Sequence, residues 1–215
     1  MHQTANKTSR SLKLPHIFYG WQLVGVTVLS MALVITPIFQ GLGTFFVALE
    51  RHFGWSRTLL SGAFSLSRAE GALLGPLEGF LVDRLGSRRM ILIGLVILGV
   101  GFVAMSFIED IVGFYVTFLV VVAGAGVGGF LPFMAAINQW FFRRRATAMA
   151  IGQMGGNLGG LLVPALAWAV VSLGWRTTVF GIGLGILALS IPIARMVRNR
   201  PEEYGLHPAS DSPST

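Results

Sequence analysis

Arg68 and Glu70 are the residues whose types and surroundings most invite chemistry in this sequence. Both sit inside a stretch of mostly apolar and small residues, 58–82, which also holds Glu78. As a helix, that stretch places Arg68 about 15 Å from its start at 1.5 Å per residue. If the helix crosses a bilayer, the guanidinium lies near the midplane, where charging it costs roughly 2.5–3.5 kcal/mol on insertion scales. Arg68 and Glu70 are two positions apart and point to nearly opposite sides of a helix, so they do not pair with each other. The i+3 and i+4 positions from Arg68 are Gly71 and Ala72. Each charge therefore needs a more distant partner, water or a ligand. The planar fork of arginine suits a carboxylate, which makes Arg68 a candidate contact for an anionic substrate. The alternatives are snorkelling, or a buried ion pair with an acid such as Glu70 or Glu78 of a neighbouring copy.

A second candidate set is neutral. Gln153 and Asn157 are i, i+4 neighbours on one helical face, and Asn157 falls near mid-depth of the stretch 146–174. Buried amides there either hydrogen-bond a substrate or join helices to one another. Gln40, with Thr36 and Thr44, offers similar groups on the first stretch. The substrate-binding candidates are thus Arg68, Glu70, Gln153, Asn157 and Gln40. No catalytic residue is expected. The four histidines, His2, His16, His52 and His207, lie outside every apolar stretch, where an intramembrane Ser–His pair is not possible. No phosphate-binding Gly-x-x-x-x-Gly-Lys-[Ser/Thr] loop is present, no His/Glu spacing fits a metal, and the chain has no cysteine. Neither cofactor nor metal is expected.

The elements that position these groups follow from composition. Of 215 residues, 53% are hydrophobic and 12% charged, and mean hydropathy is +0.71. A soluble domain carries about 25% charged residues, so a soluble globule and a disordered chain are both excluded, and an integral membrane protein remains. Six apolar stretches, 17–49, 58–82, 90–108, 111–142, 146–174 and 177–197, are each about long enough to span. Residues 1–16 form a tail before them, and 198–215 a linker or tail after them.

Net charge is +7, yet its placement argues against nucleic-acid binding. Lys7, Arg10, Lys13, Arg84, Arg88, Arg89, Arg143, Arg144, Arg145, Arg195, Arg198 and Arg200 fall on one side of the six stretches. Only Arg51, Arg57 and Arg176 fall on the other. This bias predicts both termini in the cytoplasm. Trp21 and Trp140 near the inner boundary, and Trp55 and Trp175 near the outer one, match the aromatic belts of membrane interfaces.

Small residues recur at helical spacing. Ser67, Gly71, Gly75, Gly79 and Asp83 form one stripe; Gly152, Gly156 and Gly160 form another, with Gly155 and Gly159 beside it. Such stripes let helices approach closely. Pro37, Pro132 and Pro164 predict kinks with freed carbonyls. A shift of 88 residues aligns Glu70–Arg89 with Leu158–Thr177, matching Gly71/Gly159, Pro76/Pro164, Leu85/Leu173, Gly86/Gly174 and Arg88/Arg176 among others. An offset of three spans reverses direction across the membrane, so the match predicts an inverted 3+3 repeat.

Gly79-Phe80-Leu81-Val82-Asp83-Arg84-Leu85-Gly86-Ser87-Arg88-Arg89 resembles the signature loop between helices 2 and 3 of the major facilitator superfamily. Tyr19-Gly20-Trp21, Phe53-Gly54-Trp55-Ser56-Arg57 and Gly174-Trp175-Arg176 resemble the branch holding monocarboxylate transporters and oxalate–formate antiporters. The resemblance implies an all-α membrane fold of six transmembrane helices, one half of the superfamily's twelve-span fold and similar to its N-terminal half. It implies secondary transport of a small organic anion, such as a monocarboxylate, by alternating access in the plasma membrane. It also implies gating by Gly79, Asp83, Arg84, Gly86, Arg88 and Arg89. The alternative for Asp83 is that it caps the loop and pairs with Arg84 or Arg88. The implied partners are a small-molecule substrate with a coupled proton, membrane lipid, and a second six-helix half or a second copy. Ser87 departs from the basic residue of many members. Val120, ahead of Gly124, stands where many proton-coupled members carry arginine, which argues against coupling through that helix. The rival readings are a six-span fragment with an assembly or regulatory role, and efflux of drugs or other small molecules.

Overall fold

The computed structural model describes residues 19–141 and 144–197. Lys7, Arg10, Lys13, Arg143, Arg198 and Arg200, and His2, His16 and His207, lie outside the described residues, as do both predicted tails. All regular structure among the described residues is helical: α1 (Tyr19–Ile35), a π-helical turn (Thr36–Gln40), α2 (Leu42–Phe53), α3 (Arg57–Leu85), α4 (Ser87–Met105), α5 (Ile111–Gly128), α6 (Phe130–Trp140), α7 (Arg145–Leu158), a 3₁₀ turn (Gly159–Leu162), α8 (Val163–Leu173) and α9 (Trp175–Met196).

Among the described residues, five rods are long and apolar enough to cross a membrane: Tyr19–Gln40, Ser87–Met105, Ile111–Trp140, Arg145–Leu173 and Trp175–Met196. Helix α3 is 29 residues long but is not among them, because Arg68, Glu70 and Glu78 dilute its apolar character. The sequence expectation of six apolar spans is therefore met by five, with α3 long enough and too polar by composition.

The irregularities have local causes. Pro37 has no N–H, so the carbonyl four residues back loses its partner; the chain widens into the π turn, closed by Gly41 N–H on the Thr36 carbonyl at 2.6 Å. Pro164 stands in the first turn of α8, directly after the 3₁₀ turn. The fourth stretch breaks at Gly129, three residues before the expected Pro132. Pro132 then occupies the first turn of α6, where a missing N–H costs nothing. Ser56 and Asp110 cap α3 and α5 by accepting from Leu59 N–H at 3.3 Å and Gly113 N–H at 2.6 Å. Gly86 and Gly174 join α3 to α4 and α8 to α9 with nearly identical dihedrals, φ 79°, ψ 155° and φ 86°, ψ 154°. An L side chain rarely adopts that conformation.

Packing is by close backbone approach, the mode available where lipid is as apolar as the side chains. Helix α4 lies between α5 and α9, α1 lies against α7, and α3 against α5. A Cβ on Gly94 would sit 2.0 Å from the Gly128 nitrogen, and one on Gly124 would sit 2.4 Å from the Leu98 nitrogen. At one end, Trp21 packs on Phe141, Tyr19 packs on Trp140, and the Tyr19 hydroxyl donates to the Met196 carbonyl. At the other, Phe53 stacks on Trp55 and touches Trp175, and Trp55 touches Phe114. Four of the five tryptophans thus divide two and two between the ends. Arg57 and Glu50, both near the surface, form an ion pair at 2.9 Å.

Candidate functional site

Helix α3 carries most of the candidate chemistry, and its two sides differ. Towards α1 and α5 it borders a cavity of about 220 Å³, walled by Met31, Phe39, Leu74, Val122 and Phe130. Glu70 and Glu78 are the titratable residues on that wall. They are eight residues apart, about 12 Å along the axis and only about 80° apart around it. Glu78 is 8% exposed and has no hydrogen bond or ion pair with any described residue. Its Oε1 lies so near α5 that a Cβ on Gly126 would be 2.3 Å away. The Oε2 of Glu70 is buried and likewise lacks a hydrogen-bond partner.

The other side of α3 is open. Arg68 is exposed, with its guanidinium carbon 5.0 Å from the centre of the Phe64 ring, and no described carboxylate pairs with it. Arg68 and Glu70 therefore point apart, as their spacing requires, and the cavity holds the acids without the arginine. Gly75 and Gly79, and Gly71 at the edge of the cavity, have nothing within 4 Å of an added Cβ; this stripe packs on none of the described residues.

The stripe on α7 is occupied. Added Cβ atoms on Gly152, Gly155, Gly156 and Gly159 would meet Ile137, the Val28 backbone, Ile35 and Thr36 respectively. The Gln40 side-chain amide donates to the Gly156 carbonyl at 2.5 Å, and its Oε1 faces Gly160. Of the candidate amides, Gln40 is thus engaged between helices, while Gln153 and Asn157 are exposed. The loop candidates Asp83, Arg84, Arg88 and Arg89 are all exposed around Gly86, with Gly79 half-buried one turn earlier. Asp83 forms no ion pair with Arg84 or another described residue.

Two residues acquire roles that reading the sequence did not assign. Glu78 was one charge among three in its stretch; its link to Glu70 was available from the eight-residue spacing. Arg176 counted only as an outer charge, but it donates to the carbonyls of Ser106 at 3.1 Å and Ile108 at 2.8 Å, satisfying groups just past the end of α4. Its guanidinium also lies 4.9 Å from the Trp175 ring.

The long apolar rods, the α3–α4 loop and the acids of α3 form a pattern shared with known proteins. The model of the Major Facilitator Superfamily matches residues 18–214. The chain belongs to that superfamily. Within it, the chain is similar to monocarboxylate transporter 14 of Mus musculus, at 28% identity over 96% of this chain and 41% of that protein. It is 35% identical to monocarboxylate transporter 6 of Homo sapiens, over 70% of this chain and 32% of that protein. It is 32% identical to the riboflavin transporter RibJ of Trypanosoma cruzi (strain CL Brener), over 57% of this chain and 26% of that protein. This superfamily member spans less than half the length of these curated relatives. All three are named for transport and none for catalysis.

Proposed function

We propose that the chain is a six-span half of a secondary transporter, with α3 as its second span, moving a small organic anion such as a monocarboxylate by alternating access. The observation that carries this reading is the recurrence of the helix plan after 88 residues. Gly41 and α2 recur as Gly129 and α6, α3 recurs as Arg145–Leu173, and the Gly86 joint recurs as Gly174 with the same dihedrals. The pairing fits a two-fold relation: α1 against α7 and α3 against α5 exchange, while α4 against α9 maps onto itself. Inverted repeats of this kind place a substrate site at the interface between repeats. The small-residue stripe Gly71–Gly79 and the exposed faces of α3, α7 and α8 support a further six-helix half, or a second copy, packing there. The residues proposed to line the path are Arg68, Glu70, Gln153, Asn157 and Gln40, with Gly79, Asp83, Arg84, Gly86, Arg88 and Arg89 as the gate.

Counterflow of labelled monocarboxylates into proteoliposomes tests the reading. Uptake is expected from the chain with a second half or as a dimer, and robust uptake by a demonstrably monomeric preparation would contradict it. The orientation has its own test. With no native cysteine, Ser11→Cys and Ser210→Cys should be protected from an impermeant thiol reagent in intact cells of the plasma-membrane-expressing host, while Asp110→Cys should react. Labelling of Ser210→Cys from outside would overturn the cytoplasmic placement of the C-terminal tail.

A further inference from the structure

The acidic cavity asks for something that none of the described residues provides. Glu78 is more than nine-tenths buried, faces the cavity and has no hydrogen bond or ion pair with any described residue. Glu70 turns a buried, partnerless oxygen towards the same space. The rest of the wall is apolar or glycine. Among the described residues, the elements packed around it supply no cation. Helices α1, α5 and α6 contribute only Tyr19 and Tyr115 as ionisable groups, and Tyr115 donates its hydroxyl to the Leu59 carbonyl near the far end of α3. Glu50, Arg51 and His52 belong to α2 at that far end. Arg88 and Arg89 are exposed in the first turn of α4. On α3 itself, Arg68 lies over Phe64, and Asp83 and Arg84 are exposed beyond Glu78.

The scaffold does not require these acids. Counting 88 residues on, Glu70 becomes Leu158 and Glu78 becomes Leu166. Leu166 lines a separate cavity of about 260 Å³ whose wall is almost wholly apolar. The same helix position is therefore filled by hydrocarbon in one repeat and by a carboxyl in the other. Two ionised carboxylates on an apolar wall with no counter-charge would each bear a large desolvation cost, whereas a carboxyl that holds a proton bears little.

We propose that Glu70 and Glu78 form a proton-binding pair, with Glu78 as the principal carrier. A hydronium ion entering the cavity transfers its proton to a Glu78 carboxylate oxygen and leaves as water; release runs the same path in reverse. Gly126 lets the Glu78 carboxyl lie against the α5 backbone, and Glu70 marks the route along α3. The role of this proton as the companion of a transported anion rests on the transport reading. Proton binding itself does not, and it can be measured without any uptake assay.

The test is infrared spectroscopy of the full chain in lipid nanodiscs. A protonated-carboxyl C=O band is expected at neutral pH, and it should shift on exchange into D₂O. It should fall in Glu78→Gln and be kept in Glu109→Gln, an exposed acid remote from the cavity. A folded wild-type chain without the band overturns the proposal, whatever the variants do. So does a band that keeps its full intensity in Glu78→Gln. Carboxylate stretches that respond instead to added sodium or tetramethylammonium would make the cavity a cation site and would also overturn it. A chain that shows the band but no counterflow retains the proton pair and loses the transport reading.

Discussion

Gly94→Leu should leave little or no folded protein. A Cβ at this position would stand 2.0 Å from the Gly128 nitrogen, 2.2 Å from its Cα and 2.7 Å from the Val127 carbonyl carbon. These are backbone atoms of α5, so no side chain can swing aside, and the two helices would have to separate along their whole contact. Overpacking a core commonly costs 1–3 kcal/mol when side chains can adjust; here about 3 kcal/mol or more is expected. The monodisperse fraction in detergent and the unfolding temperature report it. Gly71→Leu is the matched comparison. It adds the same side chain at a glycine with open space around it and should leave the isolated chain's stability within about 0.5 kcal/mol. Equal stability of the two variants would mean that α4 and α5 do not meet as described.

Arg68→Lys is expected to preserve expression and to lose most transport in the assembled transporter. The hypothesis is that the exposed guanidinium contacts the carboxylate of the substrate, and a point charge cannot reproduce a bidentate fork. A charge-assisted hydrogen bond is worth about 1.5–3 kcal/mol, which corresponds to a fall of about ten- to a hundredfold in apparent affinity. Asp83→Asn should behave differently, slowing the conformational cycle while substrate binding is largely kept. Normal transport by both Arg68→Lys and Arg68→Gln at normal expression would remove Arg68 from the substrate path.

Much of the helix plan was legible because charge and glycine punctuate it. The stretch 58–82 became Arg57–Leu85, and the Leu-Gly-x-Arg ends at Gly86 and Gly174 became joints of matching geometry. The interruptions were legible only in part. Pro37 does mark the break in the first stretch, whereas the fourth breaks at Gly129 and leaves Pro132 in a turn that tolerates it. The two small-residue stripes look alike in sequence, yet α7's is filled by α1 and α3's is empty. Which helix a stripe meets depends on the partner's path, and spacing carries no record of that. The site shows the same division. That Arg68 and Glu70 diverge, and that Glu70 and Glu78 share one side of α3, follows from helical period alone; that this side is a cavity wall required knowing where α1 and α5 run.

The seam between α1 and α7 also limits how this chain can vary over generations. It is formed by what glycine lacks: a Cβ on Gly155 would lie 2.2 Å from the Val28 carbonyl oxygen, and one on Gly159 would lie 2.2 Å from the Thr36 hydroxyl. Every single-nucleotide amino-acid replacement of a glycine codon introduces a β-carbon, so each such change at these positions collides at once, however conservative the new residue. Recovery is available through reversion, or through a simultaneous change in the opposite helix where a side chain is the obstacle. At Gly155 the obstacle is backbone, and no second mutation can shorten a carbonyl. That position should tolerate the least drift of any on α7.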